Sequence, residues 1–342
     1  MPDTLNFTTC IHCMTFNHAN YIEATMDGFV KQQTTFPFVS LIIDDASNDG
    51  ESVIILKYIQ HNLKIVEENS LLSINGFDAH YLLAINNSNP NCYFAVYLLK
   101  QNLYGSPVKA NLVRKWDNQS KYIALCEGDD YWTDPNKLQK QVDYLEAHPE
   151  CSLCFTNAIV HWYNGEQEDR IFASFEERDY SGVELCEKWI SPTASFLFRT
   201  PIFKDYEQIR KDYPQIIIGD SPLLLTCAKK GKIHGIPEIT CVYGKHANGW
   251  TQYTDASRTY LSARSWEAQL KAFGKDYKTV MSNTFIGQYL LAIHRSIKDR
   301  NWTVFVKSVF RGIVAHPFLS LRSLYILWKE RRQIPQKSIV NA

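Results

Sequence analysis

Leu125-Cys126-Glu127-Gly128-Asp129-Asp130-Tyr131-Trp132 sets three carboxylates around one glycine, directly after an apolar run from Tyr122 to Cys126. Like charges this close repel, and such a turn persists when a cation or an oxygen-rich ligand offsets the repulsion. The chemistry on offer is divalent-cation binding, and through it control of negative charge on a ligand. The alternative is a solvated turn that caps the next helix, for which Asp134 alone suffices. A second acidic turn, Asp44-Asp45-Ala46-Ser47-Asn48-Asp49-Gly50, follows the apolar run Phe38 to Ile43. Further on, Gly219-Asp220-Ser221-Pro222 opens an apolar helix with Asp220 or Ser221 as N-cap. A polar, glycine-flanked loop, Gly244-Lys245-His246-Ala247-Asn248-Gly249-Trp250, comes last.

The elements that must position these residues read as an α/β fold. Asn6 to Thr15 has strand composition, and Phe16 to Ala19 is a turn. Asn20-Tyr21-Ile22-Glu23 reads as a capping box, with Ile22, Met26, Phe29 and Val30 at helical spacing after it. Phe38 to Ile43 is apolar throughout, as in a strand covered on both faces. Strand, helix, strand, acidic turn and helix form a right-handed crossover pattern, and so a mostly parallel sheet flanked by helices, Rossmann-like and mixed. In open sheets of this kind ligands bind beyond the carboxyl ends of the strands. Both acidic turns follow strand carboxyl ends and are therefore expected on one crevice. Residues 62–91 read as an insertion of mixed structure on the sheet edge. Cys92 to Leu99, Cys151 to Asn157, Phe196 to Arg199 and Ile236 to Tyr243 read as strands, and Tyr163 to Asp179 as a surface excursion.

Composition bounds the rest. The 342 residues are 45% hydrophobic with zero formal net charge, which suits one full domain plus an appendage and argues against a general nucleic-acid binder. Nine scattered cysteines suit a reducing interior. Cys10-Ile-His-Cys13 and Cys151-Ser-Leu-Cys154 lie in strand-like stretches, so buried cysteines are favoured over a four-thiolate zinc site. The start has no basic region followed by an apolar run, and no stretch reaches membrane-spanning length. From about Arg258 the pattern is helical only, giving two expected domains, 1–257 and 258–342. Between Arg295 and the end there are ten Lys/Arg against two acids, interleaved with Trp302, Phe305, Phe310, Phe318, Tyr325 and Trp328. Such a tail suits contact with an anionic membrane face, or a helical subdomain with its aromatics packed inward.

These residues carry a family resemblance over about the first 250 positions. Cys13-Met14-Thr15-Phe16-Asn17-His18, the turn Ile43 to Gly50, and Tyr122 through Asp134-Pro135 to Lys137, Leu138 and Gln141 are similar to the motifs of family 2 inverting glycosyltransferases of the glycosyltransferase A fold, bacterial surface-polysaccharide type. The resemblance implies that Asp45, with Asp44, accepts a hydrogen bond from a uracil-like base against which Phe16 packs. It places Glu127 in contact with the ribose or, indirectly, the metal, Asp129 as ligand to Mg²⁺ or Mn²⁺, and Asp130 as its support. His246 becomes a metal or phosphate contact with Lys245 beside it. Thr193, Ser195 and Arg199 match an acceptor-side segment. Asp220 matches the base that takes the acceptor's hydroxyl proton. A helix N-terminus favours its carboxylate form, so that base must rely on positioning.

The implied activity is inverting transfer of a sugar from a nucleotide-diphosphate sugar, UDP-linked, to a saccharide or lipid-linked saccharide hydroxyl in polysaccharide biosynthesis. The implied place is the cytoplasm, at the inner face of the membrane. A non-catalytic nucleotide- or sugar-binding relative in an assembly complex is the alternative, kept open by Glu127 and Gly219. A nucleotidyltransferase would want a glycine-rich phosphate loop with a lysine near the start, and Thr15 to Asn20 has none.

Overall fold

A computed structural model describes residues 6–74, 76–165, 167–247, 249, 255–314, 316–317 and 321. Trp250, Phe318, Tyr325 and Trp328, singled out above, lie outside the described residues. The chain divides into two compact units, Met1–Asp205 with Thr226–Ala247, and Tyr206–Leu225 with Asn248–Ala342.

The first unit is built on one twelve-stranded sheet. Its first half runs β1 (Phe7–Thr15), α1 (Ile22–Val30), β2 (Phe38–Asp44), α2 (Glu51–Asn62), β3 (Leu63–Ile74), β4 (Phe77–Asn86), β5 (Cys92–Leu99), α3 (Pro107–Asp117), β6 (Ser120–Leu125), β7 (Tyr131–Trp132) and α4 (Lys137–Ala147). Then come β8 (Cys151–Trp162), β9 (Arg170–Ile171), β10 (Arg178–Tyr180), α5 (Gly182–Glu187), β11 (Leu197–Arg199), α6 (Pro201–Asp212), α7 (Asp220–Lys230) and β12 (Lys232–Lys245), with the division between the units falling inside α6 and α7. The strand order is β10-β12-β8-β11-β6-β1-β2-β5-β4-β3. The centre, β6-β1-β2-β5, is parallel. That parallel core explains why Phe38–Asp44 is buried at every residue, since helices cover both faces. Ile22, Met26 and Phe29 of α1 join Ile55 and Ile59 of α2 and Leu138, Val142 and Leu145 of α4 on one face. Leu112, Val113 and Trp116 of α3 pack on the other with Cys10, Val39 and Leu41.

Three expectations need correction. Residues 62–91 lie at the sheet edge as expected, but not as mixed structure: β3 and β4 are a long antiparallel hairpin that completes that edge. Register shifts between Ile65 and Glu67 and between Asn69 and Leu72 break the alternation that would have marked β3 as a strand. Second, Asn20 caps nothing. Tyr21 stands at the N-cap of α1 without a side-chain hydrogen bond, and the Tyr21 and Ile22 amides bond the His18 carbonyl. Third, Gly244 and Lys245 belong to β12, which pairs along β8 as far as Lys245 opposite Trp162. The nine cysteines are free, and eight are buried.

In the second unit, α8 (Ala256–Phe273) and α9 (Lys278–Lys298) pack through Ala263, Phe285, Ile286 and Tyr289, and α10 (Trp302–Ser308) leads into a π-helical turn, Val309–Val314. Among the described residues no helix is long and apolar enough to cross a membrane.

Candidate active site

The two acidic turns stand at one edge of the sheet because β1 lies between β2 and β6 and runs parallel to both. Thr15 is level with Asp44 on one side, and His12 with Leu125 on the other. The turn at Glu127 to Asp130 folds back against the end of β1. The Cys126 amide bonds the His12 carbonyl and the Gly128 amide the Met14 carbonyl. Gly128 is required there, since a Cβ would fall on the Thr15 side chain. On the far side Gly244 of β12 touches the Asp129 carbonyl so closely that a Cβ has no room. Thr25 of α1 donates to the Asp130 and Gly128 carbonyls at 2.7 and 3.1 Å.

This clamp divides the three acids. Glu127 is exposed. Asp130 is buried, accepts the Gly244 amide at 2.8 Å, and has its carboxyl pushed well up by burial and by Asp129. Asp129 faces two histidines, with His246 Nε2 at 3.0 Å and His18 Nε2 at 3.9 Å from its Oδ2. Burial pushes the Asp129 carboxyl up, but the His246 hydrogen bond and the His18 ring outweigh it, so the group lies below its ordinary range. His18, Asp129 and His246 each offer a ligand atom, all within 4.8 Å of one another. Tyr21 packs on His246 and on Tyr163, with ring centroids 4.8 and 4.2 Å apart, and walls the group with aromatic surface. Lys245 directs its ammonium over the Tyr243 ring at 4.7 Å.

The second acidic turn is satisfied by protein groups, some local and some from the segment after β5. Asp44 is fully buried and accepts the Ser47 amide at 3.0 Å and the Ser52 hydroxyl. Asp45 accepts the Leu103 amide at 2.6 Å and pairs with Lys109 Nζ at 2.6 Å. Glu51, absent from the sequence reading, is the knot between the turns. Its carboxylate accepts the Thr15 hydroxyl, the Ser47 hydroxyl at 2.8 Å and the His18 amide at 2.9 Å. Burial raises its carboxyl in spite of these bonds. Asn17, in the left-handed region, gives its amide to Ser47 and accepts the Asn48 amide, fixing the turn that carries His18. Phe16 is exposed at the end of β1.

The remaining expected residues fall elsewhere. Ser195 is buried, donating to the Pro192 carbonyl and accepting the Thr156 amide. Arg199 ties down the end of α4 through the Leu145 and His148 carbonyls. Asp220 is the first residue of α7 and belongs to the second unit, where Ser221 donates to Gln269 at 2.9 Å. The sequence reading passed over His18, Tyr21, Tyr163 and Glu51 as chemistry. The available signal for His18 was its place three residues past a strand end that abuts an acidic turn.

A second close group, Cys10, His12 and Asp117, is buried on the α3 face of the sheet, with His12 Nε2 2.7 Å from Asp117 Oδ1.

No family profile matches the chain. It is 30% identical over 326 residues, 93% of its length and 83% of theirs, to the uncharacterized proteins Mb1547 of Mycobacterium bovis and Rv1520 of Mycobacterium tuberculosis. Among solved structures it is similar to S. aureus TarS 1–349 in complex with UDP-GlcNAc, with a TM-score of 0.60, 13% identity, and 96% and 92% of the two chains covered. It is also similar to the mannosyltransferase PcManGT from Pyrobaculum calidifontis in complex with GDP-Man and Mn²⁺, with a TM-score of 0.52, 11% identity, and 98% and 89% covered. The fold is thus a glycosyltransferase fold: a large mixed sheet, parallel at its centre, flanked by helices.

Proposed function

We propose that this chain, which belongs to the same family as the mycobacterial proteins Mb1547 and Rv1520, transfers a sugar with inversion from a nucleotide-diphosphate sugar to the hydroxyl of a saccharide or lipid-linked saccharide. The observation that carries the reading is the gathering of His18, Asp129 and His246 at the edge where the parallel strands end. Their donor set fits a divalent metal: two ring nitrogens and a carboxylate suit Mn²⁺ better than Mg²⁺, which prefers oxygen ligands throughout. A bound cation supplies charge compensation for the departing diphosphate. Asp130 and Gly244 hold the Asp129 turn, Glu51 holds the His18 turn, and Tyr21 packs its ring on His246 and on Tyr163. Phe16, Asp44, Asp45 and Glu127 complete the donor side of the proposal, with a uridine nucleotide as donor. Two solved relatives of the fold, one with UDP-GlcNAc and one with GDP-Man and Mn²⁺, support this class of donor. Asp220 is our choice for the base, resting on its position at the start of α7. The acceptor is met at the inner face of the membrane, during polysaccharide biosynthesis.

A second reading, binding without transfer, draws on the exposure of Glu127 and on the internal pairing of Asp45 with Lys109. Incubation with a panel of UDP- and GDP-sugars, with and without Mn²⁺, separates the two. Metal-dependent release of free nucleotide from one donor, lost in Asp129→Asn, supports transfer. Binding of a donor with no release supports the second reading, and neither binding nor release sinks both.

A further inference from the structure

The helix α10 and the turn after it are built inside out. Their inward residues are small, Val304, Ser308 and Gly312, and a Cβ on Gly312 would sit 2.8 Å from that of Tyr289. Their outward residues are apolar at a spacing of four, and the two aromatic rings among them, Trp302 and Phe310, are the largest side chains of the set. Trp302 is 61% exposed, Val306 63%, Phe310 65% and Val314 59%. A helix stabilised only by its own unit turns the large apolar residues inward, as α9 does with Phe285, Ile286 and Tyr289. Contiguous exposed apolar surface of this kind marks a place where something else docks. The sequence left two readings of these aromatics open, and the arrangement of Trp302 and Phe310 favours the first.

Charge selects what docks. Lys298, Arg300 and Lys307 are exposed around the apolar stripe, and the chain from Arg295 onward carries ten Lys/Arg against two acids. An apolar strip bordered by cations, with a tryptophan at one end, matches the depth profile of an anionic bilayer, where apolar groups enter the acyl boundary and cations meet the headgroups. We propose that α10 and the turn Val309–Val314 form an in-plane anchor on an anionic membrane leaflet, through Trp302, Val306, Phe310 and Val314. The inference deepens the acceptor reading above, since a lipid-linked acceptor is met at such a surface. It stands apart from donor chemistry, and its failure leaves nucleotide release untouched.

The test is flotation of the full chain with vesicles of phosphatidylcholine alone and of phosphatidylcholine with phosphatidylglycerol, at low and high salt. The expected result is flotation with anionic vesicles at low salt and weakened flotation at high salt. Trp302→Ser and Phe310→Ser should each lower partitioning by roughly tenfold or more, because each removes one ring from the exposed strip that enters the bilayer. Both residues are exposed, so melting temperature and nucleotide release stay unchanged. Replacing Lys298, Arg300 and Lys307 by Gln should abolish the preference for anionic over neutral vesicles. No flotation at low salt overturns the proposal. So does equal flotation of wild type and the ring variants, or a self-associated wild type that the same variants turn into monomers, which would make a second copy the occupant.

Discussion

His246 Nε2 lies 3.0 Å from Asp129 Oδ2, joining residues 117 positions apart across the turn that ends β6 and the strand end of β12. The contact is held by Gly244 of β12, which donates its amide to Asp130 and, lacking a Cβ, lets the strand approach the Asp129 backbone. It converts an acidic turn into a mixed nitrogen–oxygen group with His18 as the third member. His246→Ala should therefore weaken Mn²⁺ binding by roughly tenfold or more, since one of three donors is lost. Titration of Mn²⁺ into wild type and variant checks this, and equal affinities would remove His246 from the group.

Lys109 holds Asp45 at 2.6 Å, and the Asp45 side chain is almost wholly buried. Lys109→Met leaves that carboxylate with the Leu103 amide as its remaining partner in this arrangement. The expected cost is about 1–3 kcal/mol, below the full penalty for an unpaired buried charge because Lys109 itself is partly exposed. Urea unfolding measures it, and Mn²⁺ binding should not change. An unaltered midpoint would mean that solvent compensates the pair.

Two glycines make a matched comparison. Gly244→Ala drives a Cβ into the Asp129 backbone and the Tyr163 ring, and should cost about 1–3 kcal/mol and lower Mn²⁺ affinity. Gly287, inside α9, has nothing within 4 Å of a Cβ, so Gly287→Ala should stabilise by about 0.5–1 kcal/mol through helix propensity. Thermal melts of both variants decide the matter. A harmless Gly244→Ala would contradict the packing described for the turn.

Lys137 is fully buried, its ammonium 4.1 Å from the Trp132 ring centroid and 2.6 Å from Gln141 Oε1. Burial pushes its pKa down to about 8 from an ordinary 10.5. The folded chain therefore holds fewer protons at this site than the unfolded chain between those values, and stability rises with pH across that window. The penalty is present in full below about pH 8 and is relieved as pH climbs toward 10.5. Relative to Lys137→Met, which lacks the titration, wild type should gain up to about 3 kcal/mol over that range. Urea midpoints at pH 7 to 10 read the difference. A constant gap would place the ammonium in contact with solvent.

What could be read from the sequence follows the physics that acts locally. The parallel centre was legible because a strand buried on both faces, Phe38–Asp44, is apolar throughout, and because two acidic turns after such strands must share an edge. The β3–β4 hairpin was hidden because its edge strand puts Glu68 and Asn69 in solvent and its bulges break the period of two. The acids themselves were legible, but their division of labour was not. Whether Asp130 is buried or Glu127 exposed depends on the approach of β12, more than a hundred residues away. Asp44 and Asp49 differ, since their partners are nearer in sequence: the Ser47 amide for Asp44, and the Glu51 amide with that of Ala19 for Asp49. The outward face of α10 was ambiguous because a stripe of aromatics has the same spacing whichever way the helix is turned.

The central claim is that Asp129 anchors a divalent cation together with His18 and His246. Electron paramagnetic resonance of free Mn²⁺ titrated into the purified full chain measures it without any donor, acceptor or assay of transfer. The account predicts one bound Mn²⁺ per chain in wild type and none at the same concentrations in Asp129→Asn, with the melting curve otherwise preserved. Equal Mn²⁺ binding by the two proteins would contradict it.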